Sequence, residues 1–145
     1  MSKRALQIAT AVLALVPVAT GAVTMLGISD PIYASEPLPQ SALLDSELRF
    51  FGGVWLSLGV AALWLIPSIE KQTVLFRAIW AAIFLGGAGR LLSMVLVGAP
   101  PIPFIGFTIL EIAGAPLFVW WQSRVARDAA PLNCPPATKA REKSE

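Results

Sequence analysis

Four residues in this chain could do chemistry together: Asp45, Arg49, Arg90 and Glu111. Each falls in or at the edge of an apolar stretch, where a bare charge at the centre of a bilayer costs from about 3 to more than 10 kcal/mol. They must therefore find partners or water. Two guanidiniums and two carboxylates can neutralise one another as a buried ionic clamp that fixes helix register. They can instead line an outward-facing polar pocket, in which Arg49 and Arg90 hold a carboxylate or phosphate while Glu111 positions them or exchanges a proton. Both readings gather the four charges in one place, and they differ in whether anything else enters.

Other chemistries lack their groups. Histidine is absent and the single cysteine, Cys134, stands in a polar, Pro-containing stretch. No metal-ligand set, Ser-His-Asp or Cys-His arrangement, or intramolecular disulfide can be assembled, and Cys134 reads as an ordinary exposed thiol. No cofactor is expected. An enzyme would have to use Glu111 as acid or base with the arginines on an anionic substrate, and a second chemical group is lacking, so the expectation is against catalysis. Gly86-Gly87-Ala88-Gly89 has the composition of a phosphate loop without the preceding strand or the following Lys-Ser or Lys-Thr; close helix packing explains it. Trp55, Trp64, Trp80, Phe50 and Phe51 are expected as packing or lipid-facing residues rather than cavity walls. Nothing supports binding to nucleic acid.

The elements that must carry the charges follow from composition. Among 145 residues, 56% are apolar and only 14% charged, with a mean hydropathy of +0.70, too apolar for a soluble domain of this size. The apolar residues form four blocks, each near the roughly 20 residues needed to cross about 30 Å of hydrocarbon. The expected fold is an all-α integral membrane four-helix bundle over residues 1–126, with spans at about 5–28, 44–66, 74–97 and 104–122. Residues 127–145 are polar, mixed in charge and without periodicity, and are expected as a disordered cytoplasmic tail. The first block exceeds the apolar core of a secretory signal, roughly 7 to 15 residues, and is read as a span. Pro17 within it marks a kink.

Lys3, Arg4, Lys71, Arg77, Arg124 and Arg127, with Lys139, Arg141 and Lys143 of the tail, all fall on one side of this topology, and the two opposite connections carry no basic residue. The positive-inside rule then puts both termini in the cytoplasm. The acidic, Pro-rich connection at 29–42 and the turn at 98–103 face outward, which in a bacterium is the periplasm, and the localisation expected is the bacterial inner membrane.

Counted from the outer helix ends at 1.5 Å per residue, Arg49, Arg90 and Glu111 each lie roughly 9 to 11 Å deep, in one layer. Asp45, Arg49, Gly53, Ser57 and Ala61 recur at every fourth position of the second span, and Ala78, Ala82, Gly86 and Arg90 do so on the third. Thr108, Glu111 and Gly114 or Ala115 share a side of the fourth. Small residues let helices approach, so these stripes are expected to face the bundle interior, with Glu47 reaching the outer interface.

Arg49-Phe50-Phe51-Gly52-Gly53, Phe84-Leu85-Gly86-Gly87 with Gly89-Arg90 and Ser93, Gly98 with Pro100-Pro101, and Glu111 with Pro116 occur in an order that resembles the small bacterial membrane family known only as domain of unknown function 4345. The resemblance covers the first span to Gln122. It implies a four-span inner-membrane protein and supplies no activity or cofactor. Two functional expectations stand. One is a pocket for a small anionic or amphipathic ligand, lipids included, with transport through so thin a wall requiring a homodimer. The alternative is an accessory subunit of a larger membrane complex, in which the charges only hold the fold.

Overall fold

The computed structural model describes residues 2–34 and 38–129; the expected tail beyond Ala129, with Cys134, lies outside the described residues. The chain is all-helical over that range, and four helical segments are long and apolar enough to cross a membrane.

Helix α1 runs Lys3–Thr24 and carries Pro17 inside it. It stops earlier than hydropathy suggests because Gly27, at φ +68°, reverses the chain, and two single 3-10 turns, Gly27–Ser29 and Pro31–Tyr33, follow. Helix α2, Ala42–Leu65, begins where Ser41 Oγ accepts the Leu44 amide, an N-cap that satisfies one orphan donor of the first turn. Pro67 ends it in the 3-10 turn Ile66–Ser68. Helix α3 spans Thr73–Leu96.

The fourth span is one path in three parts: α4, Ile102–Ile109, a π-helical turn at Leu110–Gly114, and α5, Ala115–Ala129. Pro116 explains the π turn, because it has no amide to donate to the Ile112 carbonyl and its ring crowds that carbonyl. Helix α5 continues to Ala129, so Arg127–Ala129 are helical rather than part of a disordered tail.

Helices α1 and α2 pack along their length through glycines. A Cβ on Gly21 would lie 2.5 Å from Leu56 N, one on Gly52 2.7 Å from Met25 N, and one on Gly59 2.9 Å from Val18 N. Lipid is as apolar as leucine, so such close backbone packing, rather than exclusion of water, holds the pair. Helix α3 instead packs on the fourth span. Gly87 lies against the π turn, where a Cβ would meet Glu111 Cβ at 2.7 Å.

The two pairs join at one end only. Leu6, Leu65, Ile69, Phe76, Ile79, Trp80, Phe118 and Val125 are buried there, with Trp80 stacked on Phe118 at 4.4 Å. Polar ties close the same end: Gln122 Nε2 donates to Ile69 O and Thr73 Oγ1, Gln7 Nε2 donates to Ile66 O, and Lys3 pairs with Glu70 at 2.9 Å. Toward the other end the pairs diverge and leave a space between them.

The α2 stripe expected to face the bundle interior does so only in part. Every fourth residue drifts by about 40° per step on a helix of 3.6 residues per turn. Asp45 and Arg49 lie against α1, but Ser57 is exposed, and Gly52 and Gly59 supply the contact instead.

Candidate functional site

The diverging helix pairs enclose a cavity of about 820 Å³, within the range of small-molecule sites. Its walls are Leu13, Pro17 and Thr20 of α1, Phe51, Trp55 and Leu58 of α2, Ala82 and Gly86 of α3, and Phe104 and Phe107 of α4. Thr10, Ala14, Ala62, Ile79 and Trp80 form the floor, and Ile32, Tyr33 and Pro103 the outer rim. Most of this lining is apolar. Thr20 and Trp55 are satisfied by each other, the indole Nε1 donating to Thr20 Oγ1 at 2.9 Å while that hydroxyl donates to Val16 O at 2.7 Å. The buried Thr10 hydroxyl at the floor has no hydrogen-bond partner.

Among the described residues, two charged side chains line the cavity, Arg90 and Glu111. Arg90 reaches it from α3 on the same side as Ala82 and Gly86, so this stripe faces the cavity rather than a packed interface. Glu111 comes from the π turn, a rare element that often marks a functional position in a helix. Arg90 Nε lies 3.2 Å from Glu111 Oε2, with the arginine side chain 39% exposed and the glutamate 9%. The contact is an ion pair without hydrogen-bond alignment, and Glu111 Oε2 is buried with no hydrogen bond. The guanidinium also sits over the Phe104 ring, 5.7 Å from its centroid, within cation–π range.

Asp45 and Arg49 are placed elsewhere. Arg49 Nε donates to Asp45 Oδ2 at 2.7 Å and Nη2 to Oδ1 at 3.2 Å, while Nη1 and Nη2 donate to Met25 O and Leu26 O. Asp45 Oδ1 accepts the Ile28 amide. Arg49 therefore caps carbonyls at the end of α1, and Asp45 secures the turn that follows. Neither lines the cavity. The four charges expected as one cluster are two pairs, and among the described residues no ion pair joins them.

The two arginines are thus unlike. Arg49 spends every nitrogen on the fold, whereas neither Nη of Arg90 has a hydrogen-bond partner among the described residues. Phe51 and Trp55 in the wall and Trp80 in the floor line the cavity, where packing or lipid-facing positions were expected. A signal existed in α1, where Thr10, Ala14, Pro17, Thr20 and Thr24 recur at helical spacing and mix small or hydroxylated side chains with a proline.

Among curated proteins and solved structures, nothing matches the chain. Residues 5–122, from the start of α1 into α5, match the family described as "Domain of unknown function (DUF4345)". That range takes in the Asp45–Arg49 and Arg90–Glu111 pairs and every wall of the cavity, and the chain belongs to this family.

Proposed function

We propose that this protein binds a membrane amphiphile, with the apolar portion in the cavity between the helix pairs and an acidic head at Arg90. The observation that carries the reading is the contrast between the arginines. Arg90 lies in the wall of an apolar cavity with its Nη donors unused, and a guanidinium so placed is a fork for a carboxylate or phosphate. Fixing helix register would not require an 820 Å³ space beside the pair.

The basic residues Lys3, Arg4, Lys71, Arg77, Arg124 and Arg127 gather at the closed end of the bundle. By the positive-inside rule that end faces the cytoplasm. Both termini are then cytoplasmic, and the Arg90 end of the cavity faces the periplasmic side of a bacterial inner membrane. The bilayer supplies the ligand directly, since the cavity lies among the spans.

The test uses protein in lipid nanodiscs and the fluorescent fatty acid cis-parinaric acid. Gly86 lines the cavity and Gly89, three residues on, does not; a Cβ at either meets nothing within 4 Å. Gly86→Leu is expected to abolish saturable binding, and Gly89→Leu to preserve it. Equal binding by both variants, or none by the unmodified protein, overturns the reading.

A further inference from the structure

Resting on that reading, the geometry points to a narrower ligand class: a carboxylic acid held head outward, with one proton shared between its carboxyl and Glu111.

Charge balance decides the head. Arg90 and Glu111 are the charged lining residues among those described, contributed by α3 and the π turn, and Tyr33 of the α1–α2 connection is the other titratable group on the wall. The existing pair is neutral. A permanently charged anion added to it leaves a net negative charge in an apolar enclosure, which is expensive, unless Glu111 alone takes up a proton, which a sulfonate is too weak a base to share. A carboxylic acid matches Glu111 in basicity and can share it, and one guanidinium, two carboxyl groups and one proton sum to zero. The acid's oxygens take the free Nη donors, and the proton lies between the ligand and Glu111, which lines the cavity beside Arg90. An acid ionised in water therefore binds with uptake of one proton from solvent.

Depth decides the tail. From Arg90 down α3 to Trp80 at the floor is ten residues, about 15 Å at 1.5 Å per residue. Extended chain advances roughly 1.2 Å per bond, so about 12 carbons reach the floor. Ile32, Tyr33 and Pro103 line the rim, and the Arg90 guanidinium lies over the Phe104 ring of the wall.

Displacement of cis-parinaric acid by dodecanoate, methyl dodecanoate and dodecanesulfonate tests this. Dodecanoate is expected to compete at least about tenfold better than either of the others. Calorimetry in two buffers of different ionisation enthalpy should register about one proton taken up per acid bound. Because Arg90→Gln alone strands Glu111, the variant used is Arg90→Gln with Glu111→Gln, which removes both charges. It is expected to reverse the preference and bind the ester better than the acid, because nothing then offsets the carboxylate. Ala82→Leu, two turns below Arg90, should weaken dodecanoate and leave octanoate unchanged. Sulfonate matching or exceeding dodecanoate overturns the shared proton, and equal binding of ester and acid overturns the head assignment. In both cases the cavity as an amphiphile site survives; failure of every probe removes that as well.

Discussion

Arg90 and Glu111 approach to 3.2 Å across the α3–π-turn interface without forming an aligned hydrogen bond, in a wall that is otherwise apolar. A pair built only to fasten two helices would be expected to resemble Asp45 and Arg49, where every guanidinium nitrogen has an acceptor. The Arg90–Glu111 pair keeps hydrogen-bonding capacity in reserve, and the cavity gives that capacity something to meet.

Breaking this pair from one side should be worse than removing it whole. Arg90→Ala leaves Glu111, 9% exposed, without a counter-charge. Loss of one partner of a buried pair costs about 3–5 kcal/mol, and the partial exposure of Arg90 places this case at the lower end. The double variant Arg90→Gln with Glu111→Gln should unfold later than Arg90→Ala, a coupling readable in thermal melts of the purified protein. Additive losses would contradict the pairing.

Arg49→Ala should act on the fold and not on the ligand. It frees the Met25 and Leu26 carbonyls and leaves Asp45 without its cation. Hydrogen exchange at the Ile28 amide, which Asp45 accepts, should speed up several-fold and the melting temperature fall, while affinity for cis-parinaric acid stays within about twofold of the unmodified value, less than 1 kcal/mol. A selective loss of binding would place Arg49 in the site.

Glycine substitutions should separate by position. Gly21→Ala and Gly52→Ala drive a methyl into backbone atoms across the α1–α2 contact and should each cost about 1–3 kcal/mol or more, as overpacking does. At Gly89, where a Cβ meets nothing, alanine should be neutral or stabilising by up to about 1 kcal/mol. Denaturation of the purified variants orders them.

The closed end should weaken in acid. Lys3, 2.9 Å away, is the main reason that the Glu70 carboxyl is held below its ordinary value of 4.5. A carboxyl whose folded pKa is depressed contributes fully above its unfolded value and loses that contribution as pH falls through the folded one. Melting temperature should therefore decline below about pH 4.5, and Glu70→Gln should flatten that limb. The effect is expected to be small, since Lys3 is 42% exposed and such pairs are screened.

The span count was legible because bilayer thickness imposes a length that hydropathy reports directly. The meeting of Arg90 with Glu111 was legible too, since depth follows from residue count and two opposite charges at one depth seek each other. Direction around the helix axis was not. Arg49 shares that depth but faces the end of α1, and the drift of a four-residue stripe carried Ser57 outward while Gly52 and Gly59 took the contact. A pocket was among the expectations, but as a polar one built on both arginines; its apolar walls escaped for a related reason, since Ala82 and Gly86 are as suited to close packing as to lining a space, and only the divergence of the helix pairs decides between them. The π turn needed Pro116 to be read for its effect on Ile112, one turn earlier.

The central claim, that the cavity holds an acid's chain beneath Arg90, is tested most directly by photolabelling. Dodecanoic acid carrying a diazirine at its far end is irradiated with the protein in nanodiscs, and the modified residues are located by mass spectrometry. The account predicts label on Thr10, Ala14, Ile79 and Trp80, removed by Gly86→Leu. Label spread instead over the exposed residues Leu85, Leu92 and Val95, and indifferent to Gly86→Leu, would contradict it.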